Sequence, residues 1–426
     1  MTELGWKYAT AADKRRIVDG VRDGVAYGGP YHVEIHPADR CNIDCFFCST
    51  AAIRGTDELP LDRFTTLIDE LQQAGTRAIR FSGGGEPLFH RKIKDVLRAI
   101  VAARIPIENL TTNAVLLDEV TAGLLVQACD QVTVSLNTVG AESYAAMMQT
   151  PARNYQRVLD NIKRLIAVRD AAGSKTPVVN IQFLVWRDNY RDIPKMYDLV
   201  RELGADTTIF SGLAFLRPDQ QMTPDESREM LALYEEVIRR DEFRTIRNIG
   251  SFEQDLQPEV DALIHRLAAE RNARPFAARV ADFLRRDGSL AEKVRHYARM
   301  RRNARIDRET AGFDPACVIG WYSMLVRSNG TVSPCCILQH KPLGNVMTSS
   351  VQEIWQGEAY AGFRRELTAI IRRRAEWQPT DEKTVEGVCA VAGSNLCPMK
   401  SFYFARDVDF VRGLSGAFAK HRAAAS

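Results

Sequence analysis

The sequence predicts an α/β protein with a partial (β/α)6 TIM-like barrel, a helical bridging segment and a small C-terminal α+β domain. Three observations carry this. Between residues 31 and 212, short β-like runs alternate with amphipathic helical stretches in six successive units. From 213 to 312 the β signal gives way to helical patterns. From 313 onward glycines, cysteines and short strand-like runs return.

The predicted strands cover 32–36, 77–81, 107–111, 131–136, 178–185 and 206–210. Helical patterns lie between them at Leu61–Gln73, Lys92–Ala103, Leu117–Ala128, Tyr155–Ala171 and Ile193–Leu203, with apolar residues recurring at three and four. Pro60 opens the first, and Gly75 and Gly204 follow helix ends, as capping favours. Successive β–α units make parallel strands with helices on the outer face. In such folds ligands gather at the C-terminal ends of the strands. The expected divisions are an N-terminal extension (1–30), the barrel (31–212), the bridge (213–312), the C-terminal domain (313–405) and a tail (406–426).

The chain has 426 residues, 45% of them hydrophobic, which is enough for a large core. A net charge of +3 gives no general case for nucleic acid or membrane surfaces as partners. The N-terminus is polar and no run of eighteen apolar residues occurs, so a cytoplasmic protein with no membrane partner is expected. The stretch Arg266–Arg308 is strongly basic. It reads either as a solvated helical face or as a site for an anionic substrate, and sparse aromatics there disfavour nucleic acid.

Eight of the nine cysteines fall into two groups, at 41–48 and 317–397. In a large chain with no export signal, close-spaced cysteines point to metal ligation or catalysis rather than disulfides. Cys41, Cys45 and Cys48 form a C-x3-C-x2-C run directly after the first predicted strand. Structural zinc normally takes four ligands, and His36 and His90 are the only local imidazoles to make up the number. Three thiolates alone suit a [4Fe–4S] cluster whose fourth iron stays open to a chelating small molecule.

This spacing resembles the signature of the radical SAM superfamily. The resemblance implies that the open iron binds the amino and carboxylate groups of S-adenosylmethionine (SAM). It further implies that one electron from the cluster splits a C–S bond of SAM to give methionine and a 5′-deoxyadenosyl radical. Phe47, before the third cysteine, matches the family position that packs on adenine. Some forty residues on, Ser82-Gly83-Gly84-Gly85-Glu86-Pro87 resembles the family's GGE motif, which receives the methionine amino group. By physics alone such a glycine run lets the backbone approach a ligand. Thr112 and Asn113, Ser135 and Asn137, and Gln182 and Leu184 end or lie on the next three strands, where the family contacts SAM. For each of these six a structural role is the competing reading.

Cys317, Gly330 and Cys335 form C-x12-G-x4-C around Asn329-Gly330, a strong hairpin-turn signal. With Cys389 and Cys397 the order resembles SPASM/twitch domains, small C-terminal α+β auxiliary-cluster domains. The resemblance implies one auxiliary [4Fe–4S] cluster on Cys317, Cys335, Cys389 and Cys397, with zinc on the same thiolates as the alternative. Cys336 either exchanges ligand roles with Cys335 or donates a hydrogen atom. Cys129 reads as a small buried hydrophobe or a second candidate donor.

The function expected is hydrogen-atom abstraction from a substrate C–H, with the C-terminal domain covering the barrel mouth and excluding water. The favoured outcome is oxidation or epimerisation of a small molecule such as a sugar or aminocyclitol, anionic if the basic stretch meets it. A flavodoxin or ferredoxin would be the reducing partner. The alternative is maturation of a ribosomally made peptide or protein. About thirty residues before the first strand leave no room for the leader-binding unit of about 80 residues common in such enzymes. A non-catalytic iron–sulfur electron carrier would need neither the open site nor the glycine loop.

Overall fold

The computed structural model describes residues 6–213, 220–241, 246–249, 256–273, 294 and 317–375. Cys389, Cys397, Arg299, Arg301, Arg302 and the 406–426 tail lie outside these residues.

All six predicted strands are present, as β1 (His32–Ile35), β2 (Ala78–Phe81), β3 (Ile107–Thr112), β4 (Gln131–Ser135), β5 (Val178–Val185) and β6 (Thr207–Gly212). They pair in parallel in chain order, β1 through β6. Crossover helices cover them, among them α2 (Leu61–Gln73), after α1 (Ala11–Asp23) in the N-terminal extension. The remaining crossovers are α3 (Ile93–Ala103), α4 (Glu119–Ala128), α5 (Ala141–Met148), α6 (Arg153–Ala171) and α7 (Ile193–Leu203). Predicted helix ends differ from these by two residues or fewer, the ordinary fraying range. The short α5 carries no periodic signal strong enough to be read from sequence.

Two features extend the sheet beyond the expected six strands. The bridging segment, read as helical, contributes β7 (Ile246–Ile249) parallel to β6. Four residues reading Ile-Arg-Asn-Ile show no alternation, so pairing with β6 decides the strand and local pattern does not. On the other side β8 (Ser323–Val326) pairs in parallel with β1, His32 beside Ser323 and Ile35 beside Val326. β9 (Thr331–Ser333) folds back antiparallel on β8, and β10 (Gly344–Asn345) follows it. The result is an open ten-stranded sheet with β10 and β7 at its edges. The C-terminal domain therefore continues the barrel sheet instead of standing apart from it.

The strands alternate in an unusual way for a parallel sheet. Val33, Ile35, Ile79 and Phe81 face the helices, where Phe64 of α2 meets Phe81 edge-on at 6.1 Å. The other face, towards the barrel interior, is polar. His32 lies 3.3 Å from Glu108, His36 lies 3.2 Å from Glu34, and Ser82 donates to Glu34. Thr133 donates to Asn109 at 2.8 Å, and Asn180 to Gln131 at 3.1 Å. Parallel sheets are normally apolar on both faces, and this one instead buries a layer of polar groups on its inward face.

The C-terminal domain is clamped to α2. Arg63 reaches both carboxylate oxygens of Glu70, at 3.1 and 2.9 Å, and donates to the carbonyl of Val346. The same Glu70 accepts the backbone N–H of Val351 at 2.9 Å, the first residue of α11 (Val351–Gln356). Here α8 (Pro224–Asp241), α9 (Gln257–Ala273) and α10 (Ile319–Tyr322) precede it in the chain. The last described helix, α12 (Glu358–Ala375), places Arg364 over Trp355, whose indole donates to Gly28 at 3.0 Å.

Removing the Glu70 carboxylate strands a guanidinium and a helix N-terminal donor together. Glu70→Ala should destabilise the protein by about 1.5–3 kcal/mol, the range for charge-assisted hydrogen bonds. Chemical denaturation measures this, and an unchanged midpoint would refute the clamp.

Candidate active site

The loop after β1 carries the first cysteine group, and the loop after β2 carries the glycine run. They are stitched backbone to backbone. Gly85 N–H donates to Ala38 at 2.9 Å, and Glu86 N–H donates to Arg40 at 3.0 Å. At Gly85 a Cβ would sit 2.0 Å from the Arg40 carbonyl oxygen, so no other residue allows this approach. Thr50 ties the loops again, donating to the Gly84 carbonyl at 2.8 Å while its hydroxyl lies 3.3 Å from Cys48 Sγ.

Cys41, Cys45 and Cys48 line one pocket of about 340 Å³ at the C-terminal ends of the strands. Gly83, Gly85, Glu86, Thr112 and Asn113 line it on the β2 and β3 side. Phe47, Ser135, Asn137 and Leu184 complete the predicted members of the wall. Two candidates are placed elsewhere. Gly84 and Gln182 do not line the pocket; the Gly84 carbonyl accepts from Thr50, and the Gln182 carbonyl accepts from Asn137 N–H at 3.1 Å. Asn137 also has a structural task, since its side-chain oxygen accepts Leu184 N–H at 3.1 Å and bridges the ends of β4 and β5.

Sequence reasoning missed Ile43, Ser49, Arg54, Thr111, Met148 and the Gly212–Leu213 end of β6, all lining residues. Met148 comes from α5, and its sulfur lies 3.8 Å from Cys45 Sγ. Arg54 is held by Asp44 at 2.8 Å and brings a positive charge near Cys48.

Glu86 organises the pocket floor. Its carboxylate accepts from Thr112 Oγ1 at 2.5 Å, Asn113 N–H at 2.8 Å and Leu88 N–H at 3.2 Å. Burial pushes its pKa up to about 7, and the hydrogen bonds from Asn113, Thr112 and Leu88 only partly oppose this. Asn113 in turn reaches Asn42 at 2.8 Å and lies 3.7 Å from Cys41 Sγ.

The donor set fits an iron–sulfur cubane. Three cysteines line one cavity, and among the described residues no histidine lines it. His36 pairs with Glu34, and His90 lies 2.8 Å from the Leu59 carbonyl, so neither local imidazole completes a zinc set. Burial raises the thiol of Cys41 and pushes Cys45 up to about 12, so binding iron displaces protons from these thiols.

The described cysteines of the second group, Cys317, Cys335 and Cys336, lie at the other end of the strands. β8 starts beside His32 at the foot of the barrel, and Cys317 precedes it. β9 returns antiparallel, Ser333 beside Leu325, and brings Cys335 and Cys336 back to that foot. Burial raises the Cys335 thiol well above its usual range, and the neighbouring Cys336 and Cys317 raise it further. Among the described residues of this domain, the tip of the β8–β9 hairpin and the adjoining Asn345–Val346 lie towards the mouth end of the sheet. Cys129 also lies at the foot, before β4, buried with its thiol donating to the Gln131 carbonyl at 2.8 Å. Neither Cys129 nor Cys336 lines the pocket.

Residues 35–209 match the model of the radical SAM superfamily, and residues 317–382 match that of SPASM, an iron–sulfur cluster-binding domain. A probable GTP 3′,8-cyclase of Methanocaldococcus jannaschii is 30% identical over 179 residues, covering 41% of this chain and 56% of that protein. A tungsten-containing aldehyde ferredoxin oxidoreductase cofactor-modifying protein of Pyrococcus furiosus is 23% identical over 204 residues, 47% of this chain and 57% of that one. The chain thus spans little more than half the length of these curated relatives. Streptococcus suis SuiB bound to S-adenosylmethionine superposes with a TM-score of 0.54 at 17% identity, over 82% of this chain and 71% of that one. SuiB bound to its precursor peptide SuiA gives the same TM-score, 0.54, and the two likenesses establish a shared fold.

Two outcomes follow from this geometry. Gly85→Ala forces the two loops apart at a cost on the order of 1–3 kcal/mol, as for overpacking. Iron bound at Cys41, Cys45 and Cys48 after anaerobic reconstitution should fall, and undiminished loading would contradict the stitched-loop account. The folded-state pKa of Glu86 lies above the ordinary 4.5, so the folded protein holds a proton that the unfolded chain has lost. Stability of the cluster-free protein should therefore fall as pH rises from about 4.5 to about 7. Glu86→Gln should flatten that slope in denaturation curves taken across this range.

Proposed function

The chain belongs to the radical SAM superfamily and carries a SPASM iron–sulfur domain, and from that premise we propose that it oxidises or epimerises a polar small molecule. The carrying observation is the meeting of Cys41, Cys45, Cys48 and the Gly83–Glu86 loop in one pocket at the strand ends. When bound there, the cluster and SAM supply a 5′-deoxyadenosyl radical that takes a hydrogen atom from the substrate.

The chain's own residues then have separable tasks. Cys41, Cys45 and Cys48 hold the cluster. Gly83, Gly85 and Glu86, with Thr112 and Asn113, surround the amino-acid end of SAM, where a protonated amine would suit the Glu86 carboxylate. Phe47, Ser135, Asn137 and Leu184 lie towards its nucleoside. Cys317 and Cys335, with Cys389 and Cys397, are the proposed auxiliary ligands, Cys336 being the alternative to Cys335. Oxidation of the substrate radical releases one more electron, which a cluster held by these auxiliary cysteines would be suited to accept, while a flavodoxin or ferredoxin would be the reducing partner.

The polar inner wall supports a polar substrate. Glu34, whose carboxyl is held down to about 2 by His36, Arg80 and Ser82 against the opposing effect of burial, stays charged on the inward face of β1. Peptide maturation is the second reading; SuiB, described with its precursor peptide, shares the fold.

Anaerobically reconstituted, reduced protein should convert SAM to 5′-deoxyadenosine and methionine. Cys41→Ala should abolish this, and absence of product from the wild type would overturn the proposal. Polyols, amino sugars and nucleotides should accelerate product formation; acceleration by peptides alone would favour the second reading. The wild type should bind about eight irons and the Cys41→Ala/Cys45→Ala/Cys48→Ala variant about four, one cubane each.

A further inference from the structure

Asp39 lies two residues before Cys41 and is only 2% exposed. A buried carboxylate needs donors or a counter-charge. Its Oδ2 accepts Gly55 N–H at 3.2 Å, while among the described residues Oδ1 has no hydrogen-bond partner. The counter-charge comes from far along the chain: Arg327 Nη2 stands 3.7 Å from Asp39 Oδ2, with the Arg327 side chain 15% exposed.

Both partners are held from behind. Asp39 sits between Ala38 and Arg40, the two residues whose carbonyls accept Gly85 N–H and Glu86 N–H. Its own N–H donates to Asp57 at 2.9 Å. Arg327 occupies the tip of the β8–β9 hairpin, where its N–H donates to Thr331 at 2.9 Å and its carbonyl accepts Gly330 N–H at 2.8 Å. One residue earlier, the Val326 carbonyl accepts His36 N–H at 2.9 Å. The guanidinium is thus delivered by a rigid ribbon that is hydrogen-bonded to the barrel up to three residues from Asp39.

We propose that Arg327 is a positioning residue for the SAM site, contributed by the C-terminal domain and acting through Asp39 on the stitched cysteine and glycine loops. The proposal rests on the reading that Cys41, Cys45 and Cys48 hold the SAM-binding cluster. Because the same hairpin carries Cys335 at its other end, one structural unit serves the auxiliary cysteines and the SAM pocket together.

The test uses full-length, anaerobically reconstituted protein, with SAM affinity and the SAM-induced change in the electron paramagnetic resonance spectrum of the reduced cluster as readouts. Arg327→Met should weaken SAM binding about tenfold, in the range for lost outer supports of a metal site, and alter the SAM-induced spectral change. Arg327→Lys should restore most of the affinity. The auxiliary-cluster signal should be unchanged in both. If Arg327→Met does not fold, Asp39→Asn/Arg327→Met removes both charges and should fold, yet still bind SAM weakly. Wild-type affinity and spectrum in whichever of these variants folds would overturn the inference. Failure of the wild type itself to bind SAM would overturn instead the assignment of Cys41, Cys45 and Cys48.

Discussion

Everything at the candidate site depends on two backbone hydrogen bonds between neighbouring loops, Gly85 to Ala38 and Glu86 to Arg40. They hold the three cysteines against the pocket that Glu86 floors, and they exist only because position 85 has no side chain. A loop of three thiols would otherwise be free to wander, since loops running over a surface have little packing to restrain them. The hydrogen bonds of Glu86 to Thr112 and Asn113 extend the same restraint to β3. Three chain segments are thereby fixed around one cavity by a few polar contacts.

How much of this was legible in the sequence varies with the length scale of the cause. The six parallel strands and their helices were readable because each carries its own apolar periodicity. The cysteine and glycine loops were readable because their spacing is chemistry written locally. β7 was not, because a four-residue strand is decided by its partner β6 and not by its own pattern. Likewise Met148 reaches Cys45 from 103 residues away, and nothing in its neighbourhood announces it. The placement of Cys317, Cys335 and Cys336 was not legible for the same reason. Local reading identified the hairpin, but only the pairing of β8 with β1 reveals which end of the barrel its cysteines occupy. Gln182, chosen by strand position, lends the site region only its carbonyl.

The polar face of the sheet separates two jobs that parallel sheets usually combine. Helix-facing residues such as Ile79 and Phe81 supply the burial that holds the fold, at about 1.5–3 kcal/mol for each large side chain. Inward-facing residues such as Glu34, His36 and Glu108 contribute little to that burial and are costly to enclose unless paired. Their ion pairs and hydrogen bonds to one another offset part of this cost. A lumen arranged in this way trades core packing for a wall that can be rewritten residue by residue without disturbing the helical shell.

The pairing of β1 with β8 also has a consequence for biosynthesis. His32 meets Ser323 across 291 residues of chain, so one edge of β1 stays bare while most of the protein is being made. At ordinary elongation rates that interval is about 15–60 s. A bare strand edge invites pairing with other chains. An ionisable side chain within a strand, as Glu34 is in β1, is among the features that discourage such pairing until the true partner emerges.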